Sequence, residues 1–428
     1  MLKVIELFAG VGGFRIGLEG FNNKSSTSNF KKLIKPKYKI TWSNQFEPKT
    51  KTKQHASDIY ENHFTSKNHS REDITKVNIK EIDKNGPYDV LVGGFPCQDY
   101  SVATILKHNI KGVYGKKGVL WWEIYRILKT IKKKPKYLIL ENVDRLLKSP
   151  SNQKGRDFAV MLACLRDLGY IVEWRIINAA DYGFPQRRRR VFIIAYHSQN
   201  SNIHSFIKKN IIDWINKDGV LAKSFRIKPN NPSLPSFSID SDIKKISDTF
   251  GNNKKKSSFL NTGIIIGSDV YTYKSESIPA SKSKNIKSIL EDKKDVSIDF
   301  YIKEEDLKKW RELKGSISIP RVKDGFKYNY SMGGIGFDKL DKPSRTIVTG
   351  EGGKSPSRFK HIIEVNDEKG RYRRLTPVEL EKLNGFPKNF TKYDGVSDIK
   401  RAFLMGNALV CGVVEKIGES LFDIHNKY

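Results

Sequence analysis

The first 196 residues alternate short β-rich runs with helical stretches, and that alternation restricts the fold more than any other feature. "KVIEL", "YKITWSN", "YDVLVGG", "KYLILENV", "IVEWRIIN" and "RRVFIIAY" read as strands. Between them, "LWWEIYRILKTI" and "DFAVMLACLRDLG" carry apolar residues at helical spacing. Such alternation predicts an α/β domain, a doubly wound and mostly parallel sheet with helices on both faces. Near residue 198 the character changes. From there to about residue 370 Lys, Ser, Asn, Gly and Pro dominate, and strand-like runs are short, as in "FLNTGIII" and "SRTIVTG". This part reads as a second, smaller, mainly β and loop domain. Helical pattern returns in "LTPVELEKLNGF", with Thr376 as N-cap and Pro377 at the first helical position. A last helix follows in "GVVEKIGESLFDIHN". The expected organisation is a catalytic and cofactor-binding domain over 1–198, completed by 400–428, with the second domain over 199–399.

Composition sets the setting. A hydrophobic content of 38% supports a real core, and no apolar run is long enough to span a membrane. "MLKVIELFAG" is a strand running into a glycine turn, without signal-peptide layout. The three cysteines, Cys97, Cys164 and Cys411, are far apart and odd in number, which argues against a disulfide framework or a zinc knuckle. The expectation is a cytoplasmic, reducing environment and no metal. The formal charge of +31 points to a polyanionic partner, nucleic acid first. A lysine- and asparagine-rich coding bias would supply part of that charge with no binding role.

Several short stretches carry chemistry. In "LFAGVGGFRIGLE", Gly10, Gly12 and Gly13 let the backbone turn sharply and approach a ligand before a helix begins. The turn suits an adenosine-containing cofactor, or no ligand at all. "WSNQFEP" offers Gln45 and Glu47 to ribose hydroxyls and Phe46 to an adenine ring, and "REDIT" adds Asp73 as an acceptor. "VGGFPCQDYS" places Cys97 just past a strand end, on a turn that needs glycine, which favours exposure over packing. Glu141, at the end of "LILENV", shares the crevice with Cys97 if their strands are parallel neighbours. A thiol beside a carboxyl group suits covalent catalysis on a nitrogen heterocycle. The four consecutive arginines of "DYGFPQRRRR" fit an anion-binding pocket better than a core. Cys164 and Cys411 fall on helices and read as core residues.

Taken together, "FAGVGGF", "GGFPCQDYS", "GVLWWEIYRIL", "ENV", "QRRRR", "RLTPVELEKLNGFP" and "GNALV" make the chain resemble the bacterial C5-cytosine DNA methyltransferases, in motif identity and in order. The resemblance implies a Rossmann-like fold, S-adenosylmethionine as methyl donor and double-stranded DNA as substrate. It makes Cys97 the nucleophile, Glu141 the partner of the cytosine N3 and amine, and Arg188 and Arg190 the cations near the base. Phe8 and the glycine turn hold the cofactor, completed by Asp73, Ile74, Pro96, Leu120 and Asn407. Residues 98–118 resemble a loop that closes over a flipped base, with Gln98 and Ser101 touching DNA. The 199–399 segment takes the place of a target-recognition domain, in which Arg345 and Thr346 contact phosphates or bases. A cognate restriction endonuclease is the implied functional partner. One departure is plain. Where the family has an acid for the ribose hydroxyls this chain aligns Gln45, with Glu47 two residues later.

Three other readings explain less. The tRNA-methylating branch of the same superfamily does not need so large a segment between the arginines and "RLTPVELE". A DNA-binding protein with a degenerate site does not need Cys97, Glu141 and Arg188. A nicotinamide-dependent dehydrogenase accounts for the glycine turn alone.

Overall fold

The computed structural model describes residues 1–21, 36–48, 52–64, 67–95, 120–229, 236–323 and 326–428. Its centre is one ten-stranded sheet. The strands are β1 (Leu2–Leu7), β2 (Tyr38–Asn44), β3 (His69–Ser70), β4 (Val90–Gly94) and β5 (Tyr137–Val143). They continue with β6 (Tyr170–Asn178), β7 (Arg189–His197), β8 (Phe237–Ser238), β9 (Thr262–Ile266) and β10 (Asp269–Tyr273). The spatial order is β3-β2-β1-β4-β5-β7-β6-β9-β10-β8. The six strands expected before residue 198 all form, as do the two helices, at Leu120–Thr130 and Arg156–Asp167.

The expectation of a mostly parallel sheet holds only from β3 to β5. From β5 onward every pairing is antiparallel. The reason lies in the connection. Residues 179–188 join β6 to β7 through a short 3-10 turn, whereas a parallel return needs a long crossover. β7 therefore inserts between β5 and β6, and its first residues lie beside the last residues of β5.

Helices cover both faces of this sheet. On one face Trp121, Ile124 and Leu128 pack with Phe158, Met161, Cys164 and Trp174. On the other, Phe14 and Leu18 of the helix Gly13–Glu19 meet Val413, Val414, Ile417 and Leu421 of the helix Cys411–Lys427. Cys164 and Cys411 are fully buried in these layers, as read from their helical positions. Burial pushes the Cys164 thiol up to about 12 and drives that of Cys411 well above the ordinary cysteine value, so neither supplies a thiolate at neutral pH.

The 199–399 segment adds β8–β10 to the same sheet. It also forms two separate ribbons, β11 (Ile317–Lys323) with β12 (Phe326–Met332), and β13 (Ile362–Asp367) with β14 (Gly370–Arg374). Ile347, Leu383, Phe386 and Met405 share a further apolar cluster with Val11, Ile16 and Ile59. "SRTIVTG" forms no strand. Its backbone is taken instead by the arginine segment, with Ser344 N–H donating to Pro185 O at 2.7 Å and Arg187 N–H to Ser344 O at 2.8 Å. Thr376 caps the helix Pro377–Leu383, its hydroxyl accepting from Glu379 N–H while the Glu379 carboxylate accepts from Thr376 N–H. Among the described residues no helix is long and apolar enough to cross a membrane.

Candidate active site

The site begins where β1 ends. Phe8 adopts φ 56°, Gly10 φ 56° and Gly12 φ 93°, so the turn enters the left-handed region at every second residue. For a phenylalanine that conformation costs on the order of 1–3 kcal/mol and persists only where the surroundings impose it. Here Ala9 N–H donates to Asn44 O at 2.9 Å, and Gly10 N–H donates to Gln45 Oε1 at 2.8 Å. A Cβ at Gly12 would lie 2.4 Å from the Phe64 ring, whereas one at Gly10 would meet nothing within 4 Å. The turn is thus packed from below and open on its outer side, a cradle of the kind an adenosine-containing cofactor requires.

The residues named around that cradle occupy distinct places. Glu47 is engaged within the protein: its Oε2 accepts Ala56 N–H at 2.8 Å and its Oε1 pairs with Lys400. Gln45 turns its oxygen to Gly10, with its amide over the Phe46 carbonyl at 3.3 Å. Asp73 accepts the Thr75 N–H and hydroxyl through Oδ1. Phe8 and Leu120 are half-buried against the apolar cluster that contains Ile74, and Phe46 is half-buried. Arg126, from the helix that Leu120 opens, donates to the Ile74 carbonyl at 2.9 Å and ties that helix to the Asp73 segment. Asn407 is exposed at the end of the helix Asp398–Asn407, and the Leu409 side chain packs over Gly13. The far end of the sequence therefore returns to the glycine turn.

The second half of the site lies at the adjacent strand ends. Gly94 of β4 is in register with Glu141 of β5, and Val143 with Arg190 of β7. Arg190 Nε lies 2.9 Å from Glu141 Oε1, the two side chains 17% and 13% exposed. The pair is reachable yet largely withdrawn from solvent. Asn142, buried next to it, donates its amide to the Phe95 carbonyl at 2.8 Å and so fixes the chain where β4 ends. Pro96, Cys97, Gln98, Ser101 and the 98–118 loop lie outside the described residues.

Arg188 stands apart from this pair. It is 3% exposed, and its two Nη atoms donate to Ile347 O at 3.2 Å and Gly406 O at 3.0 Å. Burial and then the neighbouring Arg190 pull its guanidinium down to about 9, with Glu141 opposing. Gln186 works beside it. Its oxygen accepts Ile347 N–H at 3.1 Å and its amide donates to Asn384 Oδ1 at 2.8 Å, while Asn384 donates to Met405 O at 2.8 Å. Thr346 donates to Arg187 O at 2.6 Å. Arg345 forms a fork on Asp338 at 2.8 and 2.9 Å and reaches the carbonyls of Phe359 and Lys360. Arg345 and Thr346, both expected at DNA, are thus held by the protein's own groups. Asn142, Gln186, Asp338 and Asn384 had no assigned part in the sequence reading. Asn142 sits inside "ENV" and Gln186 heads "QRRRR", so those two had a signal, whereas Asp338 and Asn384 acquire partners only through the fold. No cluster of metal-binding side chains occurs among the described residues.

A family model described as C-5 cytosine-specific DNA methylase matches residues 2–423. Type II methyltransferase M.Sau3AI of Staphylococcus aureus is 44% identical over 426 residues, 98% of this chain and 95% of that protein. Type II methyltransferase M.HhaI of Haemophilus parahaemolyticus is 32% identical over 205 residues, 48% of this chain and 52% of that protein. Among solved structures, the Entamoeba histolytica methyltransferase EhMeth aligns with a TM-score of 0.56 over 99% of both chains, at 19% identity. S. pombe Dnmt2 methyltransferase aligns at 0.57 over 100% of both, at 16% identity. These two establish the likeness of the fold.

Proposed function

The chain belongs to the C-5 cytosine-specific DNA methylases, and from that premise we propose how its residues divide the work. It is a DNA cytosine-5 methyltransferase, and S-adenosylmethionine supplies, when bound, an electrophilic methyl group for C5. In our reading the open turn at Phe8, Gly10, Gly12 and Gly13 holds that cofactor, with Asp73, Ile74, Pro96, Leu120 and Asn407 around it. Gln45 rather than Glu47 serves the ribose, because Glu47 is bound to Lys400 and the start of the helix His55–Phe64. Without an acid there the hydrogen bond lacks charge assistance.

The target cytosine lies inside a stacked duplex and must be flipped out to be reached. Cys97 as thiolate adds to C6, forming the S–C6 bond and leaving C5 electron-rich. Glu141 hydrogen-bonds N3 and the exocyclic amine, where charge develops. Arg190 orients Glu141 and presents positive charge to the base. Arg188 and Gln186 hold the 347 and 384–406 segments beneath them. Once C5 carries the methyl group, loss of its proton restores the ring double bond, breaks the S–C6 bond and returns Cys97 as thiolate. The observation that carries this reading is the Glu141–Arg190 pair at the strand end next to β4.

Target recognition falls to the part of 199–399 outside β8–β10, with Gln98 and Ser101 on the closing loop and Thr346 and Arg345 shaping the floor below it. In our reading the protein is cytoplasmic, acts as a monomer with one flipped base per chain, and shields host DNA from a cognate restriction endonuclease. Replacing Cys97 tests the mechanism. Cys97→Ser is expected to abolish methyl transfer while cofactor and DNA binding stay within a fewfold of the parent. Retained turnover in that variant contradicts the scheme.

A further inference from the structure

The ribbon β11–β12 stands alone among the described residues: its seven residue pairs bond to each other, and no third strand joins them. Ser318 pairs with Ser331 and Pro320 with Asn329, so these four residues share one face, and all four are exposed. The Ser318 and Ser331 hydroxyls lie 3.2 Å apart. That face presents amide and hydroxyl groups with nothing of the protein over it. In sequence the two strands carry Arg321, Lys323 and Lys327 and no carboxylate.

The root of the ribbon is by contrast locked. Arg358, 7% exposed, donates to Leu313 O at 3.2 Å and Gly315 O at 2.5 Å on the entering side, and to Gly333 O on the leaving side. Lys314, 2% exposed, donates to the carbonyls of Arg358 and Lys360. Ile335 N–H returns to Lys314 O at 2.9 Å. The clamp continues to the arginine segment. Arg345 bonds the Phe359 and Lys360 carbonyls, and its neighbour Thr346 bonds Arg187 O. The base of the ribbon is thus tied, through Arg358, Lys314 and the 345–346 segment, to the arginine segment that leads into Arg190.

We propose that the β11–β12 ribbon is the element that reads base edges in the DNA major groove, with Ser318, Asn329 and Ser331 as its polar contacts. The inference rests on the methyltransferase reading above. Two physical arguments support it. The major groove admits a two-stranded ribbon, and strands of this length span roughly 20 Å, enough to cross a groove about 12 Å wide. Asparagine matches the N6 and N7 edge of adenine, and serine serves either donors or acceptors. The cationic strands also complement the phosphates flanking the groove.

The test uses the full chain and the target sequence that the wild type methylates. In one variant residues 321–328 are replaced by an Asn-Gly turn, which shortens the ribbon and keeps its root pairing. In a second, Asn329→Ala is combined with Ser331→Ala, both at exposed positions. The readout is the ratio of methyl-transfer rates on the target duplex and on duplexes with one base pair changed, beside S-adenosylmethionine affinity and thermal midpoint. The ratio is expected to fall about tenfold or more in the shortened protein and severalfold in the double variant, with affinity and midpoint retained. An unchanged ratio in the folded shortened protein overturns the assignment. If that protein does not fold, an unchanged ratio in the double variant overturns it. A wild type that transfers no methyl group to any DNA instead contradicts the methyltransferase reading and takes the ribbon assignment with it.

Discussion

Arg190 and Glu141 meet across the β5–β7 pair, guanidinium Nε to carboxylate oxygen at 2.9 Å, at the rim where β4 also ends. This contact exists because β7 runs antiparallel and begins where β5 finishes. Had β7 run parallel, its arginines would lie at the opposite edge of the sheet.

Glu141→Gln keeps the size of the side chain and removes its charge, so ground-state binding is expected to survive while chemistry slows. A drop in kcat of about 10²–10³-fold is the size found when one stabilising group is removed from a developing charge. Arg190→Lys keeps the charge and loses the planar fork, and falls between the wild type and Glu141→Gln. Single-turnover rates on a target duplex check both. A Glu141→Gln rate within threefold of the wild type removes Glu141 from the reacting base.

Asn142→Ala deletes the buried amide that donates to Phe95 O. A hydrogen bond of this kind contributes about 1 kcal/mol net. The variant is expected to unfold at a lower temperature and to lose kcat, because the chain that leads to Cys97 is no longer held at Phe95. S-adenosylmethionine affinity, set at the glycine turn, is expected to stay unchanged. Calorimetric titration with the cofactor alone separates this from general unfolding.

The legible part of the fold was what local pattern encodes. The strand runs up to "RRVFIIAY" form with ends within about two residues of their apolar limits, and the Thr376–Pro377 helix start is a capping box as its residue order implied. Strand direction was less legible. A strand run has the same pattern whichever way it pairs, and only the short 179–188 link marks β7 as antiparallel. Strands β8–β10 lie in a Lys- and Ser-rich stretch and join the sheet through pairing with β6, which no local signal announces. At the site, Glu141 and Arg190 were legible as motif residues and do meet. Arg345 was expected at phosphates or bases, yet it forks onto Asp338, whose side chain is 6% exposed. Charge alone does not separate a cation waiting for phosphate from one already paired.

Two buried carboxyls give the protein a pH-dependent stability. Burial raises Glu6 to about 7 despite the Tyr60 hydroxyl at 2.8 Å and nearby Arg15, and it raises Glu173 to about 7 despite Tyr196 and Arg175. In the unfolded chain both titrate near the ordinary glutamate value. Between that value and about 7 the folded state therefore binds more protons than the unfolded one. Stability is full below the unfolded value and declines as pH rises through about 7, by at most about 3 kcal/mol per group. Glu6→Gln removes its share. Denaturant melts at pH 5 and pH 8 are expected to show a smaller loss of stability in the variant than in the wild type. Equal losses contradict the assignment of Glu6.

The central claim, that this chain methylates C5 of cytosine in a defined DNA sequence, is tested most directly by bisulfite sequencing. Unmethylated plasmid DNA is incubated with the protein and S-adenosylmethionine, then converted and read. The predicted result is protected cytosines confined to one short recurring context, which identifies base, position and target together. Complete conversion at every site, with a protein shown to bind S-adenosylmethionine, would contradict it.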